Sequence, residues 1–213
     1  MKSLNISEIF YSLQGETTFA GLPCIFVRLA GCNLRCSYCD TKYAYKTEYT
    51  KTIPELIKEI EKYLPAKLVT ITGGEPLIQS NVYELIDKFL EKNYKILLET
   101  NGSLPLDDIP EQVYKIMDIK TPGSGMSDEM LWDNLSLLDS KDEIKFVIKD
   151  KKDFNWSVKK IEKFKLEKMK VLFSPAYKYL DIKELASWIL EAHKNLRLQV
   201  QLQKYIWGDR KGV

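Results

Sequence analysis

Short runs of apolar and β-branched residues alternate along this chain with segments of helical spacing. Such runs are Cys24–Ala30, Leu68–Thr72, Lys95–Thr100, Tyr114–Lys120, Glu143–Lys149, Met169–Phe173 and Arg197–Gln203, and Leu4–Phe10 can add a strand before them. Helical spacing follows the capping-box sequence Thr52-Ile53-Pro54-Glu55, fills Asn81–Lys92 and follows Asp181. Because alternating strands and helices are typical of parallel βα units, this order predicts an α/β fold.

The alternation is incomplete, and the gaps limit the architecture. The stretch from Thr100 to Tyr114 is too short for a crossover helix, and Thr121–Lys141 offers one short helical candidate at Asp128–Leu135. A closed eight-unit barrel usually needs about 250 residues, whereas this chain has 213. We therefore expect a shortened, partial TIM-type (βα) barrel of mainly parallel strands with a reduced helix count, formed by residues 1–213 as a single domain.

The charge of the chain is balanced and dispersed. Its 32 Lys and Arg residues face 30 Asp and Glu residues, and the basic ones form no stripe or arm of the kind that nucleic-acid binders use. No apolar run reaches the roughly 18 residues that span a bilayer. The N-terminal segment lacks the apolar core and cleavage site of a signal peptide. We expect a cytoplasmic protein without a nucleic-acid or membrane partner.

Three cysteines follow the run Cys24–Ala30 directly. Cys32, Cys36 and Cys39 form a C-x3-C-x2-C motif at the carboxyl end of a predicted strand, where βα folds build their sites. Three thiolates leave one iron of a cubane cluster without a protein ligand, whereas electron-transfer clusters usually have four cysteines. A catalytic metal needs such an open position, so the motif predicts a catalytic [4Fe–4S] cluster.

A structural zinc site is the alternative for these thiols. Cys24 would be its fourth ligand, but it opens the strand and lies roughly 20 Å from the cysteine loop at about 3.3 Å per residue. We expect Cys24 to be a small buried residue. A zinc site with another fourth ligand, in a non-catalytic binding protein, stays open.

A glycine-rich turn follows the next strand. Gly73-Gly74-Glu75-Pro76 comes directly after Leu68–Thr72. Glycines allow the backbone to approach a ligand and to offer N–H groups to an anion. Glu75 adds a carboxylate for an ammonium group, so the turn suits the zwitterionic end of an amino acid.

Strand alternation gives Arg28 a notable position. Ile25, Val27 and Leu29 share one face of their strand, and Arg28 falls on the other, toward the barrel lumen if the β-branched face packs against helices. A buried guanidinium needs an anionic partner. That partner is either a carboxylate of the protein or one on the substrate.

Together these motifs resemble those of the radical S-adenosylmethionine (SAM) superfamily. The wider pattern resembles one family within it, the 7-carboxy-7-deazaguanine synthases. The segments that carry this resemblance are Ser12–Glu16, Arg28–Asn33, Cys39–Thr41, Thr72–Pro76, Glu99–Gly102 and Gly125–Met126.

The resemblance implies a specific radical reaction. The family converts 6-carboxy-5,6,7,8-tetrahydropterin into 7-carboxy-7-deazaguanine with loss of ammonia, on the path to queuosine and related 7-deazapurines. It implies that SAM binds the open iron and is cleaved to a 5′-deoxyadenosyl radical. That radical takes hydrogen from C6 of the pterin, and the hydrogen later returns to regenerate SAM. It also implies Mg²⁺, with the Thr41 hydroxyl and the substrate carboxylate as ligands.

The resemblance also assigns residues by position. The substrate contacts fall on Leu13, Gln14, Gly15, Arg28 and Thr72. The SAM contacts fall on Tyr38, Cys39, Asp40, Gly74, Glu75, Asp118, Ile119, Lys120 and Ser174. Glu99 ends a strand at the same rim, so it is a candidate for binding a substrate N–H or for proton transfer, although a surface carboxylate is the alternative.

Some features depart from the family or stay undecided. Residues 118–125 only approximate the family stretch, and the chain ends without the terminal proline that can contact the pterin. We expect a structural or surface role for His193. An enzyme that activates glycyl-radical proteins is a second alternative, because it shares the cluster spacing, but it would not need a lumenal arginine. We also expect a homodimer and an electron donor such as flavodoxin or ferredoxin.

Overall fold

The computed structural model describes residues 2–213, so Met1 of the predicted single domain lies outside the described part. Its strands are β1 (Ser3–Leu13), β2 (Pro23–Leu29), β3 (Tyr49–Thr52), β4 (Leu68–Gly73), β5 (Lys95–Thr100), β6 (Tyr114–Ile119), β7 (Glu143–Ile148), β8 (Lys170–Pro175) and β9 (Arg197–Leu198). Its α-helices are α1 (Ile53–Ile60), α2 (Val82–Glu91), α3 (Lys151–Phe164), α4 (Ile182–Glu191) and α5 (Leu202–Trp207).

The strands form one curved, open sheet. Their order is β3-β1-β2-β4-β5-β6-β7-β8-β9. Strand β1 pairs antiparallel with β2 and β3, whereas the pairs from β2 through β9 are all parallel. Because β3 and β9 end the order without pairing to each other in residues 2–213, the barrel is partial, as predicted.

The two faces of the sheet bury different sets of side chains. The main core lies between the sheet and the helices and includes Ile25, Val27 and Leu29. A smaller apolar cluster of Cys24, Phe26, Leu68, Leu97 and Ile116 lies on the other, lumenal face. Strand alternation therefore places Arg28 on the lumenal face, which confirms the orientation expected from the sequence.

Local signals fixed several helix starts. The Thr52 hydroxyl accepts a hydrogen bond from the Glu55 backbone N–H, and the Glu55 carboxylate accepts one from the Thr52 N–H, so the predicted capping box begins α1. Asp181 caps α4 by accepting from the Lys183 N–H at 2.7 Å. The predicted helix at 81–92 is also confirmed.

Other elements differ from expectation. Helix α3, capped by Asp150, is not anticipated because Phe154 and Ile161 are its only buried apolar residues. The predicted strand Arg197–Gln203 is wrong beyond Leu198, where the chain turns into α5. The helical candidate at 128–135 forms short 3-10 turns instead. Strand β3 pairs with β1 and is absent from the expectation because its residues are largely polar.

Within residues 2–213, no helix combines the length and apolar character needed to cross a membrane.

Candidate active site

A cavity of about 670 Å³ opens at the carboxyl ends of the parallel strands. This edge is where βα folds place their sites, and the volume is typical of a small-molecule pocket. The predicted site residues that line it are Leu13, Gln14, Gly15, Arg28, Cys32, Cys36, Tyr38, Cys39, Asp40, Thr41, Thr72, Gly74, Glu99, Asp118, Lys120 and Ser174. The structure thus brings together residues that are up to 161 positions apart in the sequence (13 to 174).

Backbone hydrogen bonds hold the cysteine loop at the mouth of this cavity. The Gly31 N–H donates to the Ala44 carbonyl at 2.8 Å, and the Ser37 N–H donates to the Ser124 carbonyl at 2.9 Å. The Arg35 N–H lies 3.4 Å from the Met126 sulfur. The loop is therefore fixed against both the chain that follows it and the segment after β6.

The three cysteines fit a cluster that binds each thiolate to a different iron. Cys32, Cys36 and Cys39 are free, half-buried and arranged around one cavity. In residues 2–213 no three His, Cys, Asp or Glu side chains converge as they would around a single metal ion. A four-iron cluster does not need such convergence, because its cysteines bind separate corners of the cubane. Burial raises the pKa of Cys32 and Cys36, and bound iron would hold these thiols deprotonated.

Cys24 lies apart from this group, as expected. It is fully buried, and its thiol is 3.2 Å from the Thr70 hydroxyl. Burial raises the pKa of the Cys24 thiol to about 12. It belongs to the lumenal apolar cluster and not to the cysteine loop.

The glycine-rich turn after β4 packs directly under the cysteine loop. A Cβ added to Gly74 would overlap the Gly31 carbonyl oxygen and would lie 2.6 Å from the Cys32 Cβ. The Glu75 N–H donates to the Gly31 carbonyl at 2.9 Å. Glycine at position 74 is thus required by the close approach of two loops.

Glu75 does not line the cavity, so the expected contact of its carboxylate with SAM finds no support. The side chain is fully buried. One oxygen accepts the Asn101 N–H at 2.6 Å, and the other accepts the Leu77 N–H and the Thr100 hydroxyl. Burial raises the pKa of Glu75, although these hydrogen bonds oppose the shift. Its carboxylate instead joins the glycine-rich turn to the end of β5.

Ile119 also lies outside the cavity, because neighbouring residues of β6 face opposite sides. It is fully buried in the main core. Asp118 and Lys120 face the cavity, and their charged groups lie 2.9 Å apart. The second Asp118 oxygen, Oδ1, is buried without a hydrogen-bond partner in residues 2–213. It is an acceptor available to a ligand.

A polar layer crosses the lumen below the cysteine loop. Arg28 of β2 lies beside Thr72 of β4, whose hydroxyl donates to Glu99 of β5 at 2.8 Å. Burial raises the pKa of Glu99, while Lys145 partly opposes the shift. The Arg28 Nε donates to a protein carboxylate, Glu8, at 2.7 Å. Arg28 thus has a protein partner, the first of the two possibilities left open by the sequence.

The loop after β1 closes the lumen from the side. Gln14 is 2 % exposed, and its side-chain amide donates to the Thr70 hydroxyl and accepts the Glu16 N–H. These bonds fix the Gln14 side chain within the protein, and Gln14 still lines the cavity, so its contact with substrate stays a prediction. Leu13 and Gly15 line the cavity on either side of it.

Sequence reasoning missed Glu16 and Lys145. Their charged groups lie 2.9 Å apart in the lumen, and Lys145 is also 3.7 Å from Asp118. Burial opposes ionisation of Glu16, but Lys145 and two glutamine amides lower its pKa to about 2. Lys145 lies between the core residues Ile144 and Phe146 on β7. The strand alternation that predicted a lumenal orientation for Arg28 therefore predicts the same orientation for Lys145.

The C-terminal segment, residues 199–213, covers the same cavity. The Leu202 N–H donates to the Gly15 carbonyl at 2.9 Å. The Gln201 amide donates to Glu16 at 3.1 Å and to Asp40 at 3.2 Å. Residues 209–213 contribute to the lining. The family resemblance allows the C-terminal end to contact the pterin, and the missing terminal proline had put that contact in doubt; the structure places this end at the cavity.

Comparison with known proteins places the chain among radical SAM proteins. The model of the radical SAM superfamily matches residues 27–189. The 7-carboxy-7-deazaguanine synthase of Koribacter versatilis is 40% identical, over 99% of this chain and 100% of that protein. The protein of the same name from Chlorobaculum tepidum is 41% identical, over 99% of this chain and 97% of its own.

Solved structures agree with this placement. The crystal structure of QueE from Escherichia coli superposes with a TM-score of 0.75 at 25% identity and covers 94% of each chain. Streptococcus suis SuiB bound to S-adenosylmethionine gives a TM-score of 0.53 at 16% identity, covering 79% of this chain and 44% of that one. The latter similarity concerns the fold alone.

Proposed function

The chain belongs to the radical SAM superfamily and, within it, to the 7-carboxy-7-deazaguanine synthase family, and on that premise we propose that it converts 6-carboxy-5,6,7,8-tetrahydropterin into 7-carboxy-7-deazaguanine with release of ammonia. One observation carries the assignment at the level of the site. A single cavity joins three free cysteines at its mouth to a lumenal layer that contains Arg28 and Glu99. The glycyl-radical activase and the zinc-stabilised binding protein are not favoured.

We propose that Cys32, Cys36 and Cys39 hold a [4Fe–4S] cluster whose fourth iron binds SAM. When bound and reduced, these cofactors supply the radical that removes a hydrogen atom from the substrate. Cavity residues near the cysteines would hold SAM, and they are Tyr38, Asp40, Gly74, Asp118, Lys120 and Ser174. The unpartnered Asp118 Oδ1 supports this role, because a buried acceptor is costly unless a ligand donates to it.

We propose that the substrate lies deeper, against the lumenal layer. Arg28 would bind its carboxylate, since the planar guanidinium matches a carboxylate with two parallel hydrogen bonds. Thr72, Leu13 and Gly15 would line the pterin ring. Glu99 would exchange a proton with a ring nitrogen or carbon, because its raised pKa lies closer to neutral pH than that of an ordinary glutamate.

A magnesium ion is a finer part of the proposal. The Thr41 hydroxyl lies 2.8 Å from an Asp40 oxygen at the cavity wall. Mg²⁺ prefers oxygen ligands and keeps several waters, so two adjacent protein oxygens and a substrate carboxylate fit its needs. Added Mg²⁺ should increase the turnover of the wild type but not that of Thr41→Ala, and this difference would support the assignment.

Assembly, electron supply and location are also proposed. We propose a homodimer, on the strength of the family resemblance alone. We propose that a small one-electron donor, such as flavodoxin or ferredoxin, reduces the cluster. We propose a cytoplasmic location, because reducing conditions there keep cluster thiols free.

Anaerobic turnover tests the proposed function. The reconstituted protein, supplied with reductant, SAM, Mg²⁺ and the carboxy-tetrahydropterin, should form 7-carboxy-7-deazaguanine. Cys36→Ala should lose iron and activity together, whereas Arg28→Ala should keep its iron and sulfide and lose substrate binding. Well-loaded wild-type protein that forms no product would refute the assignment. Loss of the cluster in Arg28→Ala would show that its role is misassigned.

A further inference from the structure

The orientation of Arg28 depends on an irregularity in β1. Ile6 pairs with Leu29, and both side chains pack in the main core. In a regular antiparallel ladder Ser7 would pair with Arg28, and the side chain of Glu8 would then point toward the helices. Instead the register shifts, and Glu8 pairs with Arg28.

This β-bulge turns Glu8 into the lumen. After it the ladder is regular again, because Ile9 packs against the main core and Phe10 stacks on Phe26 at 4.8 Å in the lumen. The bulge has a cost, since the Ser7 hydroxyl is buried without a hydrogen-bond partner in residues 2–213. Bulges are common beside active sites, where they redirect a side chain.

Glu8 then holds two groups with one oxygen. Its Oε1 accepts from the Arg28 Nε at 2.7 Å and from the Tyr43 hydroxyl at 2.8 Å. Tyr43 lies two residues after Thr41, in the 3-10 turn that follows the cysteine loop. All three side chains line the cavity. The contact therefore links Arg28 to the segment that carries the cluster site.

The bond to Nε leaves the far end of the guanidinium available. Among residues 2–213, the side chain of Arg28 donates its hydrogen bond to Glu8, and it does so through Nε alone. Both terminal NH₂ groups can then meet a carboxylate with two parallel hydrogen bonds. An arginine tethered at Nε loses less rotational freedom when the ligand binds.

We propose that Glu8, supported by Tyr43, is a positioning residue that aims the Arg28 guanidinium at the carboxylate of the substrate. The inference rests on the proposed function, and it adds a residue that determines specificity for carboxylated pterins. It also explains the bulge, because a regular β1 would turn Glu8 away from Arg28.

Positioning and charge predict opposite results for Glu8. A carboxylate beside Arg28 weakens the attraction of that arginine for an anion, so a role through charge alone predicts tighter binding once Glu8 is removed. A positioning role predicts weaker binding, and it predicts that an uncharged acceptor of the same length, as in Glu8→Gln, restores it.

Ligand binding to the holoenzyme separates these outcomes. The measurement is the Kd of 6-carboxypterin and of pterin, which lacks the carboxylate, by anaerobic equilibrium dialysis with SAM present. Glu8→Ala should weaken 6-carboxypterin binding about tenfold, the effect of misaligning one charge-assisted hydrogen bond, and should leave pterin binding unchanged. Glu8→Gln should recover most of the loss, and Tyr43→Phe should fall between.

The double variant completes the test. Glu8→Ala added to Arg28→Ala should cause no further loss, because the two act through one contact. Three outcomes would overturn the role of Glu8 while leaving the proposed function untouched. They are unchanged or tighter 6-carboxypterin binding in Glu8→Ala, an equal loss of affinity for both ligands, and failure of Glu8→Gln to recover binding. A wild type that does not prefer 6-carboxypterin over pterin would overturn the proposed substrate as well.

Discussion

Two largely buried carboxylates, those of Glu16 and Glu99, face the same lumen, and their surroundings shift their pKa values in opposite directions. Glu16 is ion-paired with Lys145 at 2.9 Å, and its pKa falls to about 2 despite burial. Glu99 accepts one neutral hydrogen bond from Thr72, and burial raises its pKa. Residue chemistry alone does not distinguish them. The difference comes from which charge the fold places beside each, and it supports the proposed role of Glu99, rather than Glu16, in proton transfer.

Glu99→Gln should stabilise the folded protein at neutral pH. The raised pKa in the folded state means that folding disfavours the ionised form of Glu99. Its contribution to stability is therefore present below the unfolded-state pKa of 4.5 and is lost as the pH rises through the folded-state pKa. Removing the charge should raise the melting temperature at pH 7 by about 2–4 °C per kcal/mol gained, and turnover should fall. Thermal unfolding from pH 4 to pH 8 measures this, and a gain that does not shrink toward pH 4 would contradict it.

Glu16→Gln is the matched variant with the opposite sign. A lowered folded-state pKa means that Glu16 contributes stability above its unfolded value of 4.5, which is lost as pH falls toward about 2. The variant leaves Lys145 without its main partner and should cost about 3 kcal/mol at pH 7, as for other broken buried pairs. Denaturant unfolding at pH 7 measures the loss, and wild-type stability in the variant would contradict it.

Site residues could be predicted from the sequence where a motif or strand parity marks them. The three cysteines of the C-x3-C-x2-C motif, Arg28 and Glu99 were predicted in this way, and all of them line the cavity. Glu75 was misplaced because its motif does not tell whether the carboxylate faces a ligand or caps backbone N–H groups. The lumenal position of Glu8 could not be predicted, because a one-residue bulge moves its side chain to the face opposite to the one that strand alternation predicts.

At the scale of elements, the site depends on two loops that touch. The turn after β4 supports the cysteine loop through Gly74, where a side chain would overlap the Gly31 carbonyl. This proximity follows from the parallel neighbours β2 and β4, which end at the same edge. Three helices and the strands other than β3 could be predicted from periodicity, although the last predicted strand extended too far beyond Leu198. Helix α3 and the fold of residues 199–213 could not, because tertiary contacts determine them.

Gly74→Ala should displace the cysteine loop and impair cluster retention. The added methyl group meets backbone atoms, which cannot move aside as a flexible side chain can. The expected result is less than half the iron content of the wild type after identical reconstitution, an order-of-magnitude expectation from the cost of overpacking of about 1–3 kcal/mol.

Gly21→Ala is the control for this prediction. Gly21 has φ +91° but no atom within 4 Å of an added Cβ, so alanine brings backbone strain without a collision. Its iron content should equal that of the wild type, with a stability loss of about 1–2 kcal/mol. Equal iron content in Gly74→Ala and Gly21→Ala would show that the contact between the loops is dispensable.

At the scale of the whole molecule, the partial barrel places the three cysteines of the motif and the polar lumenal layer around one cavity, where we propose that the radical forms and the substrate binds. Cysteines line its mouth, Arg28 and Glu99 line its lumen, and the C-terminal segment covers it. We propose that residues 2–213 act as a single domain, since one sheet carries all of these groups. A partial barrel of mainly parallel strands was predictable from length and alternation, whereas the order of the strands, with β3 at one edge, was not. The missing terminal proline had put a cover by the C-terminal end in doubt, and the structure places that end at the cavity.

The stoichiometry of multiple turnovers tests the function of the whole molecule most directly. Reduced holoenzyme, given a limiting amount of SAM and excess 6-carboxy-5,6,7,8-tetrahydropterin, should form one 7-carboxy-7-deazaguanine and one ammonia for each substrate consumed. Product should exceed the SAM supplied, because SAM is regenerated in each cycle. SAM cleavage without 7-carboxy-7-deazaguanine, or product without equimolar ammonia, would contradict the proposed function.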